Sequence, residues 1–411
     1  MLGYFQCYFC LVQPWIRIIN ARIAFADKSY RLLGLFRLWN AMKYFFPHHD
    51  IIDMPWNDLL IEFIPKMLED TTMVSYQATL MAMAHYLHDG HVRFEGENFF
   101  AQRFGRYLIP ARLAVAEGEL IVYQIIGNHN PLERGDVLVA LNGRDVHEIA
   151  AEMLPYISFP TDEKALYLMA RGTSLRANSR QMELDILRNG VPLTVSAHGS
   201  STGVARPLPN QSHELMTIDG YSIGLINPSV SYDTHRIMAE FADTDGIIID
   251  LRRPAAMNFF LSMRQYLMPE PIPFAYISSP LPTHPGIRGD NLVNQFLPPS
   301  PYAFIYDRPV VILVDVSTAS QPEWLTMGLR VASNVTVIGS QTMGANGNIG
   351  RLPLPGWLTM VFTSLGVYTY EGGQTFRIGL EPDIRVDRTI QGIAEGRDEI
   401  LEAAIEFILG N

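Results

Sequence analysis

The first clear pattern in the chain is helical. Leu32, Leu33, Phe36, Trp39, Met42 and Phe46 recur at the spacing that lines one face of an α-helix, and Pro47 stops the run. A second helix is predicted over residues 55–69, with Pro55 near its start. A third runs from about Ser75 to His88, where Asp89-Gly90 ends it. From residue 105 to 198 the period shortens. Leu120–Tyr123 and Val137–Leu141 read as strands, the second flanked by the turn signals Gly135-Asp136 and Asn142-Gly143. Asp162–Arg171 reads as a helix, and Met182–Leu187 and Val191–Ala197 as strands. This is a small α+β module. Ser200–Gln211 is polar, contains Pro207 and Pro209, and reads as a linker.

Beyond residue 215, short apolar runs alternate with helical stretches. Tyr221–Asn227, Gly246–Leu251, Pro309–Asp315 and Val335–Gly339 have the character of buried strands, and helices fit about 234–243, 320–332 and 396–409. This alternation predicts an α/β layer with a partly parallel sheet. The fold class is therefore multidomain α/β. Its segments are an apolar N-terminal stretch (1–28), a helical domain (29–103), an α+β module (104–199), a linker (200–214) and an α/β domain (215–411).

Residues 1–16 resemble a signal-peptide core, and Ala24-Phe25-Ala26 resembles a cleavage site. No basic residue precedes the apolar run, however, and Arg17 and Arg22 interrupt the approach to that site. An exported chain and a mis-started one both fit this segment. No later stretch reaches the ~18 uninterrupted apolar residues of a membrane span.

Composition narrows the function. Of 411 residues, 48% are hydrophobic and 18% charged, which supports a sizeable core and excludes disorder as the main state. Two cysteines, Cys7 and Cys10, exclude a disulfide scaffold. Their C-x-x-C spacing lacks a second ligand pair and sits among aromatics, so packed thiols are expected ahead of a zinc or redox site. The net charge is −11 and no dense basic run appears, which argues against nucleic acid as a partner.

The richest chemical stretch is Val316-Ser-Thr-Ala-Ser320-Gln-Pro-Glu323, between an apolar strand and an apolar-faced helix. A serine there lies beside free N–H groups at the positive helix end, and the N–H of Gln321 is the nearest oxyanion donor. The same Ser-x-x-Glu spacing is also an ordinary capping box. A nucleophilic serine needs a base. No lysine follows Lys164, so that base is expected to be a histidine. His85, His88 and His91 form the densest group, and His91 follows the Asp89-Gly90 break, free to face a cleft. These three could alternatively ligate a metal, or simply pack. Asp250–Ala256 leaves a strand end, where open α/β sheets commonly bind ligands. The glycine-rich 344–350 lacks the lysine and spacing of a phosphate loop.

In this order, the pieces resemble the C-terminal processing (tail-specific) serine peptidases and their tricorn-core relatives, specifically a PDZ-containing bacterial branch. The resemblance is carried by Leu38-Trp39 through Pro47, Leu87-His-Asp-Gly-His91, Arg134-Gly135-Asp136 through Asn142-Gly143, Ile247–Arg252, Thr318-Ala-Ser320-x-x-Glu323, Val337-Ile-Gly339 and Gly379–Asp383. It implies a PDZ-like fold for 104–199 and a ClpP/crotonase-like peptidase core. It makes Ser320 the nucleophile and His91 the base. The oxyanion hole would use the N–H of Gln321 and one near Ala255 or Ala256, where relatives carry Gly-Gly. The Ser–Lys branch places its lysine in the Gly344 loop, where this chain has Ala345. The tricorn-like branch adds a serine where this chain has Gly90, and a late glutamate near whose place Phe376 falls; of the neighbours Glu371 and Glu381, Glu371 is taken for that role. The expected activity is endopeptidase cleavage by acyl transfer, with a peptide or protein substrate, no cofactor and no metal. The alternatives are a degenerate peptide-binding scaffold and a metal-dependent hydrolase built on the three histidines. The resemblance also implies an extracytoplasmic location and leaves the oligomeric state open.

Overall fold

The structure is a computed structural model that describes residues 27–127, 130–173, 175–201, 211–229, 233–281, 283–293 and 304–410. The apolar N-terminal stretch with Cys7, Cys10 and the Ala24-Phe25-Ala26 site, and most of the expected linker, lie outside the described residues. The chain divides into two compact units. One comprises 1–203, 278–290 and 348–366; the other comprises 204–277, 291–347 and 367–411.

The first unit opens with three helices, α1 (Lys28–Phe45), α2 (Trp56–Glu69) and α3 (Met73–His85). The Asp27 carboxylate caps α1 by accepting from the N–H of Ser29 at 2.8 Å. The face that α1 buries differs from the expected stripe. Leu35, Leu38 and Met42 are fully buried, whereas Leu33 and Phe36 are exposed. Apolar residues occupy nearly every side of this helix, so sequence spacing alone does not fix its phase. Gly34 fixes it: a Cβ there would lie 2.3 Å from the Tyr76 hydroxyl of α3. That hydroxyl donates to the Pro355 carbonyl at 3.0 Å. Helix α3 ends at His85, three residues before the expected stop, because His88 takes a left-handed φ of 50°.

Strand β1 (Arg93–Glu95) follows α3 and pairs antiparallel with Leu358–Thr363, the second arm of a hairpin whose first arm is Ile349–Leu354. The register sets Arg93 opposite Val361 and Phe94 opposite Met360. A separate antiparallel sheet runs in the order β2 (Ala111–Ala116), β3 (Glu119–Ile125), β4 (Val137–Leu141), β5 (Gln181–Arg188), β6 (Val191–His198). Helices α4 (Val146–Met153) and α5 (Asp162–Leu168) interrupt it in sequence. Asp145 caps α4 through the N–H groups of His147 and Glu148.

The second unit is built on a six-stranded sheet. Its order is β7 (His213–Ile218), β8 (Tyr221–Ile226), β9 (Gly246–Asp250), β10 (Val310–Val314), β11 (Val335–Gly339), β12 (Ile384–Arg385). Only the β7–β8 pair is antiparallel; every later pair is parallel, which gives the partly parallel layer expected from the alternation. All five residues of β10 are buried, as a central parallel strand covered on both faces requires. Helices α6 (Thr234–Glu240), α7 (Met257–Leu267), α8 (Gln321–Leu329) and α9 (Glu399–Leu409) accompany the sheet. Ile400, Ala404 and Ile408 of α9 join Ile223, Ile248, Val311, Leu313 and Ile338 in one core cluster. Parallel order places the carboxyl ends of β9 and β10 side by side, and the candidate residues of this unit gather there.

Candidate active site

In the second unit, Ser320 stands where β10 gives way to α8. Its φ is 63° and its ψ is −120°. A non-glycine residue in this conformation is strained by on the order of 1–3 kcal/mol and needs its surroundings to hold it. A capping serine ordinarily takes extended backbone instead. The holding contacts are explicit. The Thr318 N–H donates to the Asp315 carbonyl at 2.8 Å, and the Met343 N–H donates to the Thr318 carbonyl at 3.0 Å. The Thr318 hydroxyl donates to the Leu251 carbonyl at 3.1 Å, and the Ser317 hydroxyl donates to the Arg252 carbonyl at 2.7 Å. The serine turn is thereby tied to the loop leaving β9. That loop is itself anchored by Arg252, a buried residue that pairs with Asp250 at 2.9 Å and Asp398 at 2.6 Å.

Glu323 does more than cap. Its fully buried carboxylate accepts from four donors: the Thr342 hydroxyl at 2.6 Å and the N–H groups of Gly344 at 2.8 Å, Ser320 at 3.1 Å and Ala345 at 3.1 Å. Burial raises its pKa above the ordinary carboxylate value, against those four hydrogen bonds. One side chain therefore joins the start of α8 to the 342–345 loop. The end of that loop meets Ser320 directly, since the Ser320 hydroxyl donates to the Gly347 carbonyl in a long contact of 3.4 Å. Gly344 is required by close approach: with φ of 76°, a Cβ would lie 2.6 Å from the Arg377 carbonyl carbon.

Backbone donors flank the serine. Gln321 opens α8, where N–H groups lack intrahelical partners and the helix dipole is positive. Among the described residues, neither the Gln321 N–H nor the Ala255 N–H meets an acceptor. The Ala256 N–H is already engaged, donating to the Pro228 carbonyl at 3.3 Å.

His91 belongs to the first unit. It lies two residues before β1, and continuing that antiparallel register brings it opposite Thr363. Its Nδ1 is 2.8 Å from Thr363 Oγ1, and that hydroxyl donates to Asp89 Oδ1 at 2.7 Å. Asp89 is fully buried and also accepts the N–H groups of Thr363 at 2.6 Å and His91 at 2.9 Å. The other ring nitrogen, Nε2, is buried and meets no hydrogen-bond partner among the described residues. Burial lowers the His91 pKa, Asp89 raises it, and Arg93 and Arg171 lower it further; the net direction is down, so the ring is neutral near pH 7.

The comparisons bear on this arrangement. Residues 282–386, which contain Ser320, Glu323 and Thr363, match Peptidase family S41. The matched segment agrees with the serine-peptidase resemblance read from the motifs. Among solved structures, mature CPAF is similar with a TM-score of 0.73 at 14% identity, covering 93% of this chain and 98% of its own. The photosystem II D1 C-terminal processing protease is similar with a TM-score of 0.51 at 15% identity, covering 89% and 97%. At such identities these likenesses show the fold. No curated protein matches the chain in sequence.

The other expected residues fall as follows. Glu371 is exposed, in the tight turn closed by the Gly372 N–H on the Thr369 carbonyl at 2.9 Å. His85 and His88 spend their Nδ1 atoms on the carbonyls of Ile157 at 2.7 Å and Phe159 at 3.1 Å, and His88 Nε2 faces Asp53 at 3.3 Å. The three histidines thus address separate partners. Among the described residues, no group of three or more His, Cys, Asp or Glu side chains is arranged to hold a metal. No described helix is long and apolar enough to cross a membrane. Sequence reasoning missed Asp89 and Thr363 around His91. The signal for Asp89 was present in Asp89-Gly90-His91; Thr363 carried none.

Proposed function

We propose that the protein is a serine endopeptidase in which Ser320 is the nucleophile and His91 the general base. His91 Nε2 takes the Ser320 hydroxyl proton as Oγ attacks the scissile carbonyl. The oxyanion that forms is held by the N–H groups of Gln321 and Ala255. His91 then protonates the leaving amine, and water releases the acyl group by the same steps. The observation that carries this reading is the Ser320 backbone. A cap does not need the strained φ of 63°, whereas a hydroxyl presented at a strand-to-helix elbow does. An imidazole with one nitrogen anchored and the other unspent supports the assignment of the base.

The β2–β6 module is the proposed peptide-receiving element. Its support is an antiparallel sheet with two edges, the form that takes an extended peptide by strand addition. A second reading, a peptide-binding scaffold without turnover, is favoured by the engaged Ala256 N–H, which leaves Ala255 as the one donor offered by this loop; loss of such a donor costs about 10²–10³ in rate. A fluorophosphonate probe separates the two. The peptidase reading expects labelling of wild type, loss of labelling in Ser320→Ala and strong reduction in His91→Ala, with matching loss of peptide-library hydrolysis. Absence of labelling and turnover in folded wild type establishes the scaffold reading. One of the similar structures is mature CPAF complexed with lactacystin, which makes that compound a second probe of Ser320.

A further inference from the structure

We infer that Asp89 is the carboxylate that orients His91, and that it acts through the hydroxyl of Thr363. The catalytic consequence rests on the Ser320–His91 reading; the orientation of the ring does not.

The protons on these three side chains can be counted. Asp89 Oδ1 lies 3.8 Å from His91 Nδ1, too far for a direct hydrogen bond. Thr363 Oγ1 fills the gap, 2.7 Å from the carboxylate and 2.8 Å from the ring. A carboxylate only accepts, and a hydroxyl has one proton to give. That proton goes to Asp89, so Thr363 must accept from the imidazole. Nδ1 therefore carries the ring hydrogen, and Nε2 keeps its lone pair. This is the tautomer a general base requires. The carboxylate is itself fixed by the N–H groups of Thr363 and His91, so the relay has no slack at its far end. The unspent, buried Nε2 is what a purely structural histidine would avoid. The charged groups facing the ring are Asp89, Arg93 and Arg171. Glu371, the glutamate suggested by resemblance, is exposed on its turn, whereas Asp89 is wholly buried beside the imidazole. Asp89 and Thr363 are thus positioning residues.

The test uses the full chain with ¹⁵N-labelled histidine, read by imidazole NMR together with peptide hydrolysis. Wild type is expected to show His91 as the Nδ1–H tautomer. Thr363→Val removes the acceptor at nearly constant volume. It should shift the ring toward Nε2–H and lower kcat by roughly 10²–10⁴ with little change in KM. Thr363→Ser, which keeps the hydroxyl, should restore the tautomer and most of the rate lost in the valine variant. The inference is overturned if Thr363→Val leaves the tautomer unchanged, whatever happens to kcat. If the tautomer responds as expected while wild type neither turns over peptides nor labels, the peptidase reading fails and this inference stands.

Discussion

Glu323 offers the sharpest test of how the serine turn is built. In Glu323→Gln the side chain keeps its shape but exchanges one acceptor oxygen for a donor NH₂. With the amide oxygen in the Oε1 position, the Thr342 and Gly344 bonds at 2.6 and 2.8 Å survive. The N–H groups of Ser320 and Ala345, both 3.1 Å from Oε2, then face another donor. Flipping the amide saves those two and loses the stronger pair. Each buried group left without a partner costs about 1–3 kcal/mol, so two cost roughly 2–6 kcal/mol. Burying a neutral amide rather than a charge offsets part of this, since burial is what raises the Glu323 pKa. The net expectation is a loss of about 2–4 kcal/mol, a large share of the ~5–15 kcal/mol that holds a typical domain together. Urea denaturation at pH 7 would show it as a lower midpoint with an unchanged slope. Amide exchange at Ser320 and Ala345 should accelerate first. A variant within 0.5 kcal/mol of wild type (about the margin of an ordinary surface substitution), with unchanged exchange at those two amides, would show that the carboxylate is not what organises the turn.

Three further outcomes are expected. Ser320→Gly removes the side chain from a strained φ and should raise stability by about 1–2 kcal/mol while abolishing fluorophosphonate labelling; thermal unfolding and labelling read the two effects separately. Arg252→Met removes the guanidinium that joins Asp250, at the end of β9, to Asp398, the N-cap of α9, and should cost about 3–5 kcal/mol by denaturant titration; an unchanged midpoint would refute the anchoring role. Burial, with Arg288 adding to it and Asp50 opposing, depresses the His48 pKa to about 3. The unfolded chain takes up a proton near pH 6.5 that native His48 refuses, so its contribution is complete above that pH and lost as pH falls toward the folded value. From pH 7 to pH 5 this single group should remove about 2 kcal/mol, and His48→Phe should flatten that part of the stability profile.

The strands β9, β10 and β11 were legible because central parallel strands are unbroken apolar runs, and Ile247–Asp250, Val310–Val314 and Val335–Gly339 stand out for that reason. The junction positions of Ser320 and His91 were legible, one before a helix and one after a helix break. The phase of α1 was not, because its apolar residues surround the axis and a contact between Gly34 and Tyr76 decides it. The hairpin of Ile349–Leu354 and Leu358–Thr363 was hidden by Pro353, Pro355 and Gly356, which read as breakers rather than as a turn and an arm. Thr363 was invisible for a deeper reason. Its partner His91, just ahead of β1, lies 272 residues earlier, and no local pattern encodes a pairing over that distance. Glu323 was read as a cap, which was half of its role; the Thr342, Gly344 and Ala345 donors arrive only when the later loop folds back.

The pairing of β1 with the hairpin also sets a clock. His91 leaves the ribosome 272 positions before Thr363. At about 5–20 residues per second, roughly 15–50 s of synthesis pass before its hydroxyl partner exists. During that interval either ring nitrogen can hold the hydrogen. A nascent chain therefore holds Asp89 and His91 through that interval without the hydroxyl that joins them in the folded protein.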